Sequence, residues 1–248
     1  MNILPDRLGK EPLIDAVFEC RFVANMPMAN VLPGFLMSNL QGINSVNNLP
    51  AAELPQAIRN TDPNLAFSPL IRIEWGEFNL SIGDRNIIIG CKLPYPGWMK
   101  FKAAILEVLK VLPQLNGIQS VQRYSMKYID LIPLDSLASQ AEAIDLKLSI
   151  GNIAHTNERF NIRLDIEDDN FIHILNIVSG ASSDLGNGKH LSGLVIDTDT
   201  IKNVDDEPYD DWVGELGPHL DQLHISNKKM FFNCLSENGL TELSPQYE

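Results

Sequence analysis

The sequence predicts an α+β protein, and three observations carry that prediction. Residues 17–22 and 124–132 alternate apolar and charged side chains with the period of two that marks a half-buried strand. Residues 98–112 repeat their apolar side chains at helical spacing. The chain has 248 residues, of which 44% are apolar, enough for one large domain or two small ones with a core of their own.

Taken in order, residues 10–15 form an extended lead-in, because Pro12 biases Glu11 away from helix. In the strand that follows, Phe18, Cys20 and Phe22 share one face, and Glu19 and Arg21 share the other. After Pro33 a short helix is expected around 34–40. Between 42 and 69 the breakers Pro50, Pro55, Pro63 and Pro69 leave room only for short helical pieces. Alternation resumes in 70–75, with Arg72 and Glu74 opposite Ile71, Ile73 and Trp75. Segments 78–82 and 85–91 read as a hairpin turning at Gly83 and Asp84. The helix at 98–112 gathers Trp98, Phe101, Ile105, Leu109 and Leu112 on one side, ends at Pro113 and Gly117, and gives way to strand over 120–133. That succession is the β-α-β-β-α-β plan of a ferredoxin-like half, closing at about residue 135.

The second half, 136–248, has a different texture. A short strand is expected within 144–150. In 160–167, Phe160, Ile162, Leu164 and Ile166 point inward, and Asn161, Arg163, Asp165 and Glu167 point outward. A polar turn at Asp168, Asp169 and Asn170 leads into 171–179, and a loop over 180–189 leads into 191–201, which makes an antiparallel meander. The acidic run 205–211 precedes a helical segment, 212–235, interrupted at Gly217 and Pro218; acids there suit the positive end of a helix. Whether the two halves share one core is left open by the sequence.

Composition narrows the function. Nineteen Lys and Arg against 32 Asp and Glu give a net charge of −13, which opposes long-range attraction to nucleic-acid phosphates or anionic lipid. Cys20, Cys91 and Cys234 are odd in number and far apart, as expected of reduced, buried thiols in a cytoplasmic protein. No stretch reads as a membrane span, and residues 1–10 do not read as a signal peptide.

The strand motifs also carry a resemblance. Pro12-Leu13, Asp15-Ala16-Val17-Phe18-Glu19, Arg21-Phe22 and the stretch Tyr124-Ser125-Met126-Lys127-Tyr128-Ile129-Asp130, together with residues 223–237, resemble a sporadically distributed, functionally uncharacterised family of bacterial proteins of this length. Met126, Lys127 and Asp130 stand where such proteins have Leu, Arg and Asn. The resemblance implies a setting among mobile elements and phage defence, and it implies no activity.

Candidate sites follow from the same faces. Glu19, Arg21, Arg72, Glu74, Arg123 and Lys127 place mixed charge on one sheet face, where cross-strand pairing competes with partner binding. RNA-binding sheets of this plan expose stacking aromatics, whereas Phe18, Phe22, Trp75, Tyr124 and Tyr128 have core parity here. Asp197 and Asp199, with Asp165 and Glu167, form either a solvated acidic face or a cation-binding group. His155, His173, His190, His219 and His224 match no metal motif, and His173 has the parity of a hydrogen-bonded core residue. Gly180, Gly186 and Gly188 lack phosphate-loop spacing. Asp205, Asp206, Asp210 and Asp211, beside Tyr209 and Trp212, form either a solvated loop with a capping role or a dock for a basic partner.

The leading expectation is a non-enzymatic, cytoplasmic interaction or accessory protein of a phage-defence or mobile-element system. Its binding residues would be Arg21, Arg123, Lys127, Asp205, Asp206, Asp210 and Asp211, with no catalytic residue, metal or cofactor, a protein partner rather than nucleic acid, and room for homo-oligomerisation. The alternative is a small-ligand or nucleotide-binding protein, including an enzyme, with a pocket between the halves near Arg21, Arg123 and Asp197.

Overall fold

A computed structural model describes residues 4–63, 65–154, 157–168, 170–184, 188 and 190–247. His155, Asp169, Gly186 and Lys189 lie outside the described residues. The protein is mixed α+β, with a large antiparallel sheet, several helices and a C-terminal helical segment.

The elements run β1 (Arg7–Leu8), β2 (Leu13–Ala24), α1 (Leu32–Asn39), β3 (Ile43–Asn48), α2 (Gln56–Thr61), β4 (Ile71–Trp75), β5 (Phe78–Ile82), β6 (Asn86–Cys91), α3 (Trp98–Val111) and β7 (Ile118–Pro133). They continue with α4 (Leu137–Glu142), β8 (Ser149–Ile150), β9 (Ile153–Ala154), β10 (Asn161–Glu167), β11 (Ile172–Asp184) and β12 (His190–Pro208). The chain closes with α5 (Tyr209–Gly214), α6 (Leu216–Cys234), α7 (Glu237–Glu242) and β13 (Pro245–Gln246). The large sheet has the strand order β10-β11-β12-β7-β2-β6-β5-β4-β3. Contacts divide the chain into two units: Asp15–Met126 with Ile201–Leu223, and Met1–Ile14 with Lys127–Thr200 and His224–Glu248.

In the first of these units the order β7-β2-β6-β5 interleaves the strands as the split βαβ plan requires, with β2 antiparallel to β6 and the β5–β6 hairpin turning at Gly83 and Asp84. Register carries the parity of β2 across the sheet: Phe18 lies opposite Ile89, Cys20 opposite Ile87, and Arg21 opposite Asn86. Phe18, Cys20, Phe22, Ile87 and Ile89 are fully buried, each contributing about 1.5–3 kcal/mol if it behaves as a typical large apolar side chain, the cysteine less. Helix α3 buries Phe101, Ala104, Ile105, Val108 and Leu109 at the expected spacing, and Leu112 falls in the 3₁₀ turn that follows. The sheet is then widened by β4 and by β3. Strand β3 corrects the expectation of only helical pieces after residue 42. Its Asn-rich sequence has poor strand propensity, and pairing with β4 supplies what local preference does not.

The other unit holds the meander β10-β11-β12, as the alternation predicts. Its core joins Ile132, Phe160, Leu175, Ile177, Leu194, Ile196 and Phe231. Several expectations are corrected here. Leu164 shares the inward parity of β10 yet is 47% exposed, because β10 ends the sheet. Strand β11 runs on to Asp184, through the first half of the expected loop. Within 144–150 only Ser149–Ile150 is strand, and α4 precedes it behind a capping box in which Ser136 and Ser139 cap each other.

The acidic run is also different from a loop. Residues 205–208 end β12, and the helix break falls between α5 and α6, one turn earlier than Gly217 and Pro218 suggest; Pro218 sits in the first turn of α6, where a missing N–H costs nothing. No helix among the described residues is long and apolar enough to cross a membrane.

Gly193 on β12 is required by close approach, since a Cβ there would overlap the Ile132 carbonyl oxygen. Gly193→Ala is expected to cost about 1–3 kcal/mol in a chemical denaturation measurement, as overpacking against backbone does.

Candidate functional site

The charged face of β2 is held by its own neighbours. Arg21 Nε donates to Glu19 Oε2 at 2.9 Å, and the guanidinium lies 4.3 Å from the centroid of the Phe67 ring. Glu19 Oε1 accepts from Asn86 Nδ2 at 2.8 Å, and the same amide donates to the Phe67 carbonyl at 2.9 Å. Asn86 is fully buried, so this arrangement fixes Arg21 in place. Further along the face, Arg72 Nε donates to Ser81 Oγ and Lys92 pairs with Glu74 at 2.6 Å. In the meander unit, Lys127 pairs with Asp197 at 2.8 Å. Arg123 is half-buried on β7. The structure thus places Arg21 and Lys127 in ion pairs, each within its own unit.

Asp205, Asp206, Asp210 and Asp211 present a different arrangement. All four are exposed, while the aromatics between them are buried: Tyr209 is 2% exposed and Trp212 0%. Tyr209 donates its hydroxyl proton to the Leu109 carbonyl at 2.9 Å, and the Trp212 ring packs on Tyr124 at 5.4 Å between centroids. Burial above all, followed by Cys20 and then the charge of Asp210, holds the Tyr209 phenol well above its ordinary pKa, so it stays a donor. Asp206 adopts a left-handed backbone, φ 48°, and accepts from Ser120 Oγ at 3.4 Å. Asp205, Asp210 and Asp211 form no salt bridge with a described residue. Asp210 and Asp211 lie in the first turn of α5, where carboxylates offset the helix dipole.

The sequence did not point to a third constellation, a buried polar line in the meander unit. Asp168 Oδ2 lies 3.3 Å from His173 Nε2, His173 Nδ1 lies 2.9 Å from Thr200 Oγ1, and Asn227 Nδ2 reaches Thr200 Oγ1 at 3.0 Å and the Thr198 carbonyl at 2.9 Å. A carboxylate only accepts, so Nε2 carries the proton; the Thr200 hydroxyl then donates to Nδ1 and accepts from Asn227. Burial opposes ionisation of Asp168, but the backbone N–H groups of Asn170 and Phe171 and the His173 side chain outweigh it and lower its pKa. An acid, an imidazole and a hydroxyl in line resemble a nucleophilic triad. Yet Thr200 is 0% exposed and His173 2%, so no substrate carbonyl reaches the hydroxyl. The line orders the core. The strand parity of His173 anticipates its burial, while its partners come from residues distant in sequence.

Tyr128 and His224 face each other in the same unit, hydroxyl to Nδ1 at 3.2 Å. Two residues beyond Tyr128, Asp130 is buried, and burial followed by the charge of Glu11 raises its pKa well above the ordinary carboxyl range. Burial likewise raises Glu11. Cys91 is pushed up to about 12 by burial, Asp15 and Glu77, and Cys234 to about 11 by burial, so neither is a thiolate nucleophile near neutral pH. Among the described residues no three His, Cys, Asp or Glu are grouped to hold a metal ion. An open cleft of about 650 Å³ beside Glu142, Asp145, Cys234 and Glu237 pairs no activated nucleophile with a base.

The fold defines an α+β protein with a large antiparallel sheet. No family model matches the sequence, and no curated protein matches it.

Thr200→Val removes the hydroxyl at the centre of the buried line and is expected to cost about 1–3 kcal/mol, read by urea unfolding, because His173 Nδ1 loses its partner. Asp130 carries the opposite sign from a salt-bridged acid. Its folded pKa is raised, so the folded state holds the proton more tightly and stability falls as pH rises from the unfolded value, about 3.9, through the folded one. Asp130→Asn is therefore expected to raise the melting temperature at pH 7 and to leave it unchanged near pH 3.

Proposed function

We propose that the protein is a non-enzymatic interaction protein that docks a basic surface of a protein partner on the segment carrying Asp205, Asp206, Asp210 and Asp211. The observation that supports this reading is the contrast between charges that are paired and charges that are not. Glu19 with Arg21, Glu74 with Lys92 and Lys127 with Asp197 neutralise one another on the sheet face. The acidic segment keeps its carboxylates exposed on a frame pinned by two buried aromatics, and a pre-ordered charged surface loses little conformational entropy on binding. With a net charge of −13, the whole chain steers a basic partner toward it and repels nucleic acid.

The setting we propose is the bacterial cytoplasm, as an accessory of a phage-defence or mobile-element system. It rests on the family that residues 12–22 and 124–130 resemble, and three free cysteines accord with a reducing compartment. A pull-down from native extract, paired with thermal-shift measurements against small-molecule and nucleotide panels, tests the reading. A stoichiometric protein partner is expected, with no ligand-dependent shift. Replacing Asp205, Asp206, Asp210 and Asp211 by Lys should weaken capture at least about tenfold and flatten its salt dependence. Undiminished capture would remove the segment from the interface. A ligand-induced shift without any partner would favour the small-ligand alternative.

A further inference from the structure

We infer that β10 is the seam of a two-fold homodimer in which the β10 strands of two copies pair antiparallel, with Leu164 facing its own symmetry mate. This contact is separate from the acidic segment and does not depend on the partner-binding role. Strand β10 ends the sheet, so it has a hydrogen-bonded neighbour, β11, on one side only. Five of its seven residues are exposed. Its register with β11 runs unbroken from Asn161 opposite Val178 to Glu167 opposite Ile172. Natural edges are blunted by bulges, prolines, lysines or short strands. Strand β3, at the other end, carries a register shift between Ile43 and Ser45. Over β10 there is no shift, no Pro and no Lys.

The order of residues on β10 is self-complementary. A two-fold axis at Leu164 sets Arg163 opposite Asp165 of the second copy, twice, and Ile162 opposite Ile166, also twice. Among the described residues Arg163 forms its ion pair with its strand neighbour Asp165, 3.1 Å long, with both side chains more than half exposed. Leu164 lies opposite the buried Leu175 and is itself 47% exposed. Pairing gives Leu164 a cross-strand apolar neighbour, continues the row that Ile162 and Ile166 begin against the core, and turns a solvent-exposed ion pair into two cross-strand pairs. Moving the axis one residue either way, to Arg163 or to Asp165, would set like charges opposite one another. Oppositely signed edge residues arranged symmetrically about an exposed leucine are what a second copy of this chain fits.

The closing measurement is sedimentation equilibrium at about 0.15 M ionic strength, where a Debye length of about 8 Å screens the mutual repulsion of two acidic chains. The unmodified chain is expected to show a reversible monomer–dimer equilibrium. Arg163→Asp and Asp165→Arg should each weaken it about tenfold or more, since each sets like charges opposite one another at two places. Combining both substitutions should restore it. A chain that stays monomeric up to about 1 mM, a concentration at which even the weakest specific contacts register, overturns the proposal, and so does a double variant no better than the single ones. Should a charge variant fail to fold, Leu164→Cys provides an independent reading. Directly opposed residues lie within disulfide reach, about 4.4–6.8 Å between Cα atoms. Leu164→Cys should therefore give a covalent dimer on oxidation where Asn161→Cys does not, and the reverse result, or equal cross-linking, overturns the register.

Discussion

The pleat of β2 is the constraint from which most of this structure follows. Because Phe18, Cys20 and Phe22 must turn to one side together, Glu19 and Arg21 must turn to the other. Register with β6 then leaves no freedom: Ile87 and Ile89 join the apolar side, and Asn86 joins the charged side. A carboxylate and a guanidinium fixed this way cannot rotate away from the sheet, so each is satisfied where it stands. Glu19 divides its two oxygens between Arg21 and Asn86, and Phe67 contributes a ring to Arg21 and a carbonyl to Asn86. The same rule assigns Lys127 to the outer side of β7, where Asp197 meets it. Mixed charge on a sheet face is here the outcome of one-sided burial, with neutralisation achieved locally.

How much of this was legible in the sequence varies with how far apart the deciding residues are. The alternation in β2, β7 and β10 and the helical repeat of α3 are local, and each predicts its element to within a few residues. Strand β3 was not legible, because Asn44, Asn47 and Asn48 are poor strand formers and only the pairing with β4 makes them strand. Leu164 was placed inward by parity alone, and parity cannot say that β10 is the last strand of the sheet. The same limit applies to the site residues. Arg21 and Asp205 look alike as charges in sequence, yet one is bound to neighbours and the other is exposed. The difference is made by Phe67, Asn86 and Leu109, none of them adjacent in the chain.

Polar residues within the apolar stripes show the same dependence on distant partners. On α6 the buried positions Leu216, Leu220, Leu223, Asn227 and Phe231 repeat at helical spacing, and Asn227 interrupts an otherwise apolar series. Isolated, such an amide would cost several of its hydrogen bonds on burial. Thr198 and Thr200 supply them, and His173 and Asp168 extend the chain of bonds to the surface. A buried polar network that is satisfied only in one arrangement favours that arrangement over alternative packings. Asp130 is the exception, a buried carboxyl whose nearest influence is another acid, Glu11. By linkage its ionisation opposes folding at neutral pH rather than adding to stability.

Interaction surfaces are then to be sought where charge and apolar area remain after the protein has satisfied itself. On the sheet face, Arg21, Lys92 and Lys127 are each neutralised by a neighbouring acid. The His173, Thr200 and Asn227 part of the polar line is removed by burial, and the cysteines by their raised pKa values. Two features remain. The acidic segment has exposed carboxylates that form no salt bridge with a described residue, on a frame that Tyr209 and Trp212 hold still, and opposite charge is what complements it. The β10 edge has unused backbone donors and acceptors, a half-exposed leucine and charges of both signs arranged symmetrically about it, and its own copy is what complements that. The first surface is all of one sign and cannot pair with itself, whereas the second is balanced and can. The two surfaces therefore select different occupants.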